Sequence, residues 1–472
     1  MLPEGILGAE VFKAGRLGNS GSCCRYSEGS VGMSRQITAL VIGAGNRGQN
    51  YSSYALYYPD RMKVIGVADP REIVRKKLQD AHKIPAENVF DDWIATAERE
   101  KFADAVIITT PDKLHKAPAV AFAQKGYHIL LEKPMAVTAE DCKEIVRACE
   151  RNHVILAVCH VLRYHPVTLK IKELLDAGLI GDICHIQHLG PIGFWHFAHS
   201  FVRGNWRKES ESSFSLLAKS CHDIDLINFW MGNKRCLQVS SFGRLLHFTK
   251  ENKPKGASTR CLDCLVESNC AYSARKIYLE RAEKGAFNWP VSVVCSNGGS
   301  DIETLTEALR LGPYGRCIYD CDNDVVSHQV VNMEFEGGAT AAFTMVAFTE
   351  KLGERTTTIY GTKGELSCKG GGEEVEIFDF LQKKRTSFFP RLMPDIPASL
   401  DSHCGADYYL IHSFVSAVSE NDPSRITTSA EETLRSHLLV FAAEKARREN
   451  QVVVIETGSE NSYPRPADAH DK

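Results

Sequence analysis

A glycine-spaced turn, a lysine placed just after an apolar run and a histidine among hydrophobic neighbours are the features of this sequence whose residue types and spacing suit chemistry. The turn, Gly43-Ala44-Gly45-Asn46-Arg47-Gly48, is a GxGxxG pattern. In such a pattern the first glycine permits a tight turn, the second lets a pyrophosphate approach the backbone, and the third lets the next helix pack on the strand. Asp69 follows Gly48 by 21 residues, where an acid accepts hydrogen bonds from the adenosine ribose. Its charge repels a 2′-phosphate and so favours NAD over NADP, while Arg71 works against that preference. Lys133 follows the run Ile129–Leu131 within Glu132-Lys133-Pro134. Its ammonium suits a hydrogen bond to a substrate oxygen and stabilisation of developing alkoxide charge; an ion pair with Glu132 is the structural alternative. His222 is the natural general base, since neutral imidazole can take a hydroxyl proton as hydride leaves the adjacent carbon. Lys219 is three residues earlier, so on one helix it shares the His222 face and keeps the imidazole neutral.

Further candidates follow from composition. The stretch Phe194–Arg207 is dense in aromatic, His and Arg residues, among them His196, His199 and Trp206. Sugars are bound by aromatic faces with directional polar groups, so this stretch reads either as a substrate lip or as a satisfied sheet edge. His160, Arg163 and Tyr164 come just after an apolar strand and are candidates for the same cleft. His403 and Asp407 precede a helix and read as surface capping residues, with a reach into the cleft as the alternative. Cys261-Leu262-Asp263-Cys264 with Cys270 begins like a zinc site, with Cys317, Cys321 or His247 as the fourth ligand. A loop-rich insert over about 246–324 has little core of its own, so a structural zinc would close it; buried reduced thiols are the alternative.

The elements that must position these residues are legible from periodicity. Apolar runs at Ile37–Ile42, Val64–Ala68, Ala105–Thr109, Ile129–Leu131 and Val154–Val158 alternate with helical stretches at Lys113–Lys125 and Ala139–Asn152. Strands alternating with helices predict a doubly wound parallel sheet with ligands beyond the strands' carboxyl ends. From Val325 the pattern turns to strands at Val325–Phe335, Ala339–Thr349, Thr356–Tyr360 and Val375–Phe378, with turns at Gly337-Gly338 and Gly370–Gly372, which predicts a largely antiparallel sheet. Tyr408–Val418 and Ala430–Arg448 are helical. The expected organisation is an extension (1–34), a Rossmann domain (35–158), an α+β substrate and oligomerisation domain (159–456) with the insert, and a polar tail (457–472).

With these pieces in place the sequence resembles the Gfo/Idh/MocA family of oxidoreductases, named for glucose–fructose oxidoreductase, inositol dehydrogenase and a rhizopine catabolism protein. The resemblance rests on Val41–Gly48, Asp69, Thr110-Pro111 with His115, Gly126 before Glu132-Lys133-Pro134, Leu162–Pro166, His222–Leu226 and Gly361–Gly364. It implies cofactor contacts from Gly43, Gly45, Asn46, Arg47, Gly48, Asp69, Arg71, Thr110, Pro111, His115 and Glu132. It also implies catalysis by Lys133 and His222 and oligomer contacts through the second domain's open sheet. Many members carry an Asp four residues before this His; here Ala218 takes that place, so the Asp–His pair is broken and Lys219 stands beside the gap.

The chain has 472 residues, with 56 Lys+Arg against 59 Asp+Glu, a net charge of −3 and 43% hydrophobic residues. That excludes a mainly disordered chain, and the balanced charge gives no reason to expect nucleic acid. No run approaches the roughly 18 consecutive apolar residues of a membrane helix. Residues 1–34 lack a secretory apolar core, so a cytoplasmic location with reduced cysteines is expected. The expected activity is NAD(P)-dependent hydride transfer to or from a sugar, sugar acid or cyclic polyol. An NAD-dependent glycosidase or lyase and an inactive nicotinamide-binding sensor are the rivals.

Overall fold

The computed structural model describes residues 35–295, 301–369, 374–390 and 396–455. The expected extension and tail, and the Gly370–Gly372 turn, lie outside them. The first sheet is built from β1 (Ile37–Ile42), β2 (Met62–Ala68), β3 (Val89–Phe90), β4 (Ala105–Ile108), β5 (His128–Leu131) and β6 (Leu156–Val158). All neighbours are parallel in the order β3-β2-β1-β4-β5-β6, the doubly wound order with its switch point between β1 and β4. Helices cover both faces, so β4 is buried at every residue and reads as a continuous apolar run. The helix Ala139–Arg151 shows the local logic: Thr138 caps it by accepting from the Asp141 N–H at 3.1 Å, and Cys142, Ile145, Val146 and Cys149 form its buried stripe. Loss of such a cap costs about 1 kcal/mol.

The second sheet comprises β7 (Ile183–Pro191), β8 (Cys236–Arg244), β9 (His328–Phe335), β10 (Thr340–Val346), β11 (Thr356–Gly361), β12 (Gly364–Cys368), β13 (Val375–Asp379), β14 (Lys384–Phe388) and β15 (Val453–Val454). Their order is β14-β13-β12-β11-β7-β10-β9-β8-β15, antiparallel throughout except for the β7–β10 pair. Helices Cys221–Met231 and Ala430–Glu449 pack on one face. The other face carries Gln187, Asn332, Phe242 and Tyr360, the last two 58% and 40% exposed.

Two features differ from the sequence expectation. Helix Ala406–Glu420 does not stay with the second domain: Tyr408, Leu410, Phe414 and Ala417 pack in one core with Val41, Val67 and Ile107 of the first sheet. The insert is also not short of core. Phe248, Ile277, Tyr278, Leu305, Leu309 and Ile318 join the hydrophobic core of the second sheet, with helix Ile302–Leu311 supplying an apolar face. Packing therefore gives this segment a share in that core.

Candidate active site

The GxGxxG turn joins β1 to helix Asn46–Ser52 at the carboxyl edge of the first sheet. Gly43 has φ of 95°, and a Cβ there would stand 2.7 Å from the Thr109 carbonyl oxygen. A Cβ on Gly48 would stand 2.1 Å from the Gly43 carbonyl oxygen, so helix and strand touch only because that position is bare. At Gly45 the nearest atom to a Cβ is Arg71 Nη2 at 3.4 Å, so this glycine faces open space. That is the cradle a pyrophosphate needs. Asp69 accepts from the Ala44 N–H at 2.8 Å and from Arg71 Nε and Nη2 at 3.0 and 2.8 Å. Burial opposes its charge, but Arg71 and the backbone donors outweigh that and hold the carboxyl below its usual range. The cradle and the acid fit an adenine dinucleotide.

Arg47 and Glu132 form a network rather than a surface. Arg47 Nε donates to Glu132 Oε1 at 2.7 Å, while Nη1 and Nη2 donate to Asp407 at 2.7 and 2.9 Å. Glu132 also accepts from Tyr51 Oη at 3.1 Å and from the Lys133 backbone N–H at 2.7 Å. Glu132 is thus spent on Arg47, and Lys133 has no ion pair among the described residues. Asp407 is fully buried and also faces His403, with Nδ1–Oδ1 of 3.2 Å. Asp407 is therefore part of the buried network and not a surface cap, while His403 beside it is exposed at the edge of the site. His115 sits behind Thr110 and Pro111: its ring nitrogens lie 2.9 Å from the Thr110 carbonyl oxygen and 2.7 Å from that of Pro134, so it staples the two loops.

Lys133 Nζ donates to the Ala218 carbonyl at 2.6 Å, tying the end of β5 to the segment that carries His222. That segment is broken. Ser215–Ala218 and Cys221–Met231 are separate helices, and Lys219 and Ser220 lie in the break. Lys219 and His222 therefore do not share a helix face, contrary to the spacing argument. His222 is 6% exposed, with Nδ1 buried and unpartnered. Burial, then Lys133, His160, Arg355 and His403, keep the imidazole far below its ordinary value and so neutral. His160 packs edge-on to His222 with ring centroids 5.4 Å apart, and burial lowers it to about 4.

Half-buried Lys219 is pushed down to about 7 by burial, then by Arg355 and Lys133. Arg355, on the loop before β11, donates to Asp223 at 2.5 Å, and Asp223 also lies 3.1 Å from His188 Nε2. His196 faces the same space: after burial, Lys219, His199 and Lys133 lower it.

The other expected substrate residues separate. Arg163 is buried in a bidentate pair with Asp225, at 2.6 and 2.8 Å, and holds the Thr427 carbonyl, so it locks elements together. His199 pairs with Tyr278 Oη at 2.8 Å and stacks on Tyr314, facing the insert. Trp206 donates to Asp112 of the first domain at 3.2 Å, bridging the two halves. Cys261, Cys264 and Cys270 line one cavity of about 370 Å³ with Cys317 and buried Arg203, whose Nη2 lies 3.3 Å from Cys261 Sγ. Among the described residues no group of three His, Cys, Asp or Glu side chains is placed to hold a metal ion, and the cysteines are free thiols.

A dinucleotide cradle at the switch point, with a lysine at the end of β5 and a neutral histidine of the second domain beside it, defines an NAD-binding oxidoreductase. Residues 37–174 match the Gfo/Idh/MocA family's NAD-binding Rossmann domain and residues 172–455 its C-terminal alpha/beta domain; the chain belongs to this oxidoreductase family. It is 28% identical over 282 residues to 2,7-anhydro-N-acetylneuraminate hydratase of Escherichia coli, covering 58% of this chain and 69% of that one. It is 38% identical over 138 residues to inositol 2-dehydrogenase 1 of Saccharopolyspora erythraea, covering 29% and 37%. Four bacterial relatives are matched over 49% to 73% of their own lengths. A levoglucosan dehydrogenase, solved with NADH and levoglucosan, shares the fold, with a TM-score of 0.64 and 17% identity over 89% of this chain and 99% of that one. Among the described residues no helix is long and apolar enough to cross a membrane.

Proposed function

We propose that this oxidoreductase moves a hydride between one CH–OH carbon of a sugar, sugar acid or cyclic polyol and a nicotinamide cofactor. The observation that carries the reading is Lys133: an ammonium at the end of β5, without a carboxylate partner among the described residues and held by the Ala218 carbonyl beside the His222 helix. When bound, the nicotinamide supplies the hydride acceptor or donor. Lys133 holds the reacting oxygen and stabilises its developing negative charge. His222, kept neutral by burial and then by Lys133 and its other neighbours, accepts the hydroxyl proton in oxidation and returns it in reduction. Lys219 adds to the positive field. The dehydrogenase and hydratase names of the relatives support a carbohydrate or polyol substrate.

NAD is the proposed cofactor. Asp69 at the end of β2 stands where a 2′-phosphate would be repelled, although Arg71 lies across it. A structural zinc rests on the Cys261, Cys264 and Cys270 spacing and their shared cavity alone, and elemental analysis near one zinc per chain is the outcome that reading requires. Assembly through the open face of the second sheet is supported by exposed Phe242 and Tyr360. A cytoplasmic location is the corresponding proposal for compartment.

The test is NADH fluorescence titration followed by turnover across a sugar and polyol panel. Saturable NADH binding with nicotinamide reduction by at least one substrate is expected. No NADH binding would sink the reading.

A further inference from the structure

The charges in the cleft do not balance locally. Among the described residues, four carboxylates around it are already bonded to arginines: Glu132 and Asp407 to Arg47, Asp225 to Arg163, and Asp223 to Arg355. Asp223 is further spent on His188, and Asp407 on His403. Neither lysine shares in these pairs. Among the described residues the Lys133 ammonium bonds only the Ala218 carbonyl, and the Lys219 ammonium has no hydrogen-bond or ion-pair partner. The groups acting on Lys219 are Arg355, Lys133, Asp223 and Cys221, and Lys219 in turn acts on His196 and His403. Lys133, Lys219 and Arg355 thus share one space, where Asp223 balances Arg355 and, among the described residues, no carboxylate pairs with either lysine. Gathering like charges away from water is costly unless an anion joins them.

The backbone explains why Lys219 is available. At Lys219 the helix from Ser215 ends and the next begins at Cys221, so Lys219 lies at a break instead of inside a continuous helix. Position 218 contributes its carbonyl to Lys133 and, being alanine, no charge. A carboxylate side chain at Ala218 would have neutralised this corner.

We propose that the substrate carries a carboxylate, and that Lys219 and Arg355 receive it while Lys133 holds the reacting hydroxyl a few atoms away. The proposal rests on the oxidoreductase reading of the same cleft. A sugar acid then supplies the anion the cluster lacks, and the carboxylate fixes which hydroxyl meets Lys133. A carboxylate on two cationic side chains makes charge-assisted hydrogen bonds, stronger than those to a neutral hydroxyl.

The test uses the full-length chain saturated with NAD⁺ and matched pairs of D-glucuronate, D-galacturonate and N-acetylneuraminate with their methyl esters, titrated by calorimetry at pH 6.5. At least one acid is expected to bind ten or more times more tightly than its ester. The Lys219→Met variant should lose that preference while its NADH titration shows the protein folded. Equal binding of every acid and ester, absence of any acid binding to protein that takes up NADH, or an acid preference undiminished in Lys219→Met each overturns the proposal. Failure to bind NADH at all instead strikes the oxidoreductase reading itself.

Discussion

Lys133 and His222 reach one another through a backbone atom: the carbonyl of Ala218 holds the ammonium beside the helix of the imidazole. Replacing the ammonium by an isosteric apolar chain removes a charge aimed at the reacting oxygen, so Lys133→Met should lower kcat by about 10²–10³-fold with NADH affinity nearly unchanged, read by steady-state kinetics and fluorescence. His222→Asn should lower kcat by about 10²-fold or more. Lys219, lowered to about 7, is charged below that pH and neutral above it. If it grips a carboxylate, kcat/KM for the acid substrate should fall as pH rises through and above 7, and Lys219→Arg, always charged, should flatten that limb. The sequence made Lys133 and His222 visible because each sits at a strand end or in a short motif. It could not make Arg355 visible, since its partner Asp223 lies 132 residues away in the chain. Nor could it reveal that Arg163, next to the cleft in sequence, turns inward to Asp225.

Two glycines of one turn separate folding from binding at the level of elements. Gly48→Ala drives a Cβ to 2.1 Å from the Gly43 carbonyl oxygen, so it should lower both thermal stability and NADH affinity. Gly45→Ala meets only the tip of Arg71, so its melting temperature should stay near wild type while NADH affinity drops at least tenfold by fluorescence. The helix from Ala406 makes a different prediction. Asp407→Asn weakens the grip on partly buried Arg47, at a cost of about 2 kcal/mol in urea denaturation, below the usual figure for a buried pair because the arginine is partly exposed and Glu132 still faces it. The pair holds the Asp407 carboxyl below its ordinary value, so its contribution is present above about pH 4 and is lost as pH falls through the depressed range. Wild type should therefore show this acid-dependent loss and the variant should not. The parallel sheet was legible because its strands are continuous apolar runs. Strands β7 and β8 went unread because Ile183–Pro191 and Cys236–Arg244 mix polar and apolar residues on a sheet with one open face. The CxxC spacing was legible too, but spacing does not tell which way thiols turn, nor that Phe248 and Tyr278 would give the insert a core.

At the scale of the molecule, the open face of the second sheet presents Phe242 and Tyr360 beside polar Gln187 and Asn332, a mixed surface suited to a second copy. Light scattering after gel filtration is expected to give a multiple of the monomer mass, and Phe242→Glu should shift the assembly toward monomer.

The placement of helix Ala406–Glu420 against β1, β2 and β4 also bears on how the chain is made. A ribosome releases the nucleotide-binding strands early but the helix that seals one face of their sheet only after most of the chain has been synthesised. The first half must therefore wait, with apolar surface uncovered, for a segment several hundred residues downstream. Contacts of such sequence separation fold slowly, and the nascent chain should lean on holding chaperones during synthesis. For the same reason a fragment spanning 35–158 alone should come out insoluble, whereas co-expression with a fragment spanning 396–455 should recover part of it in the soluble fraction.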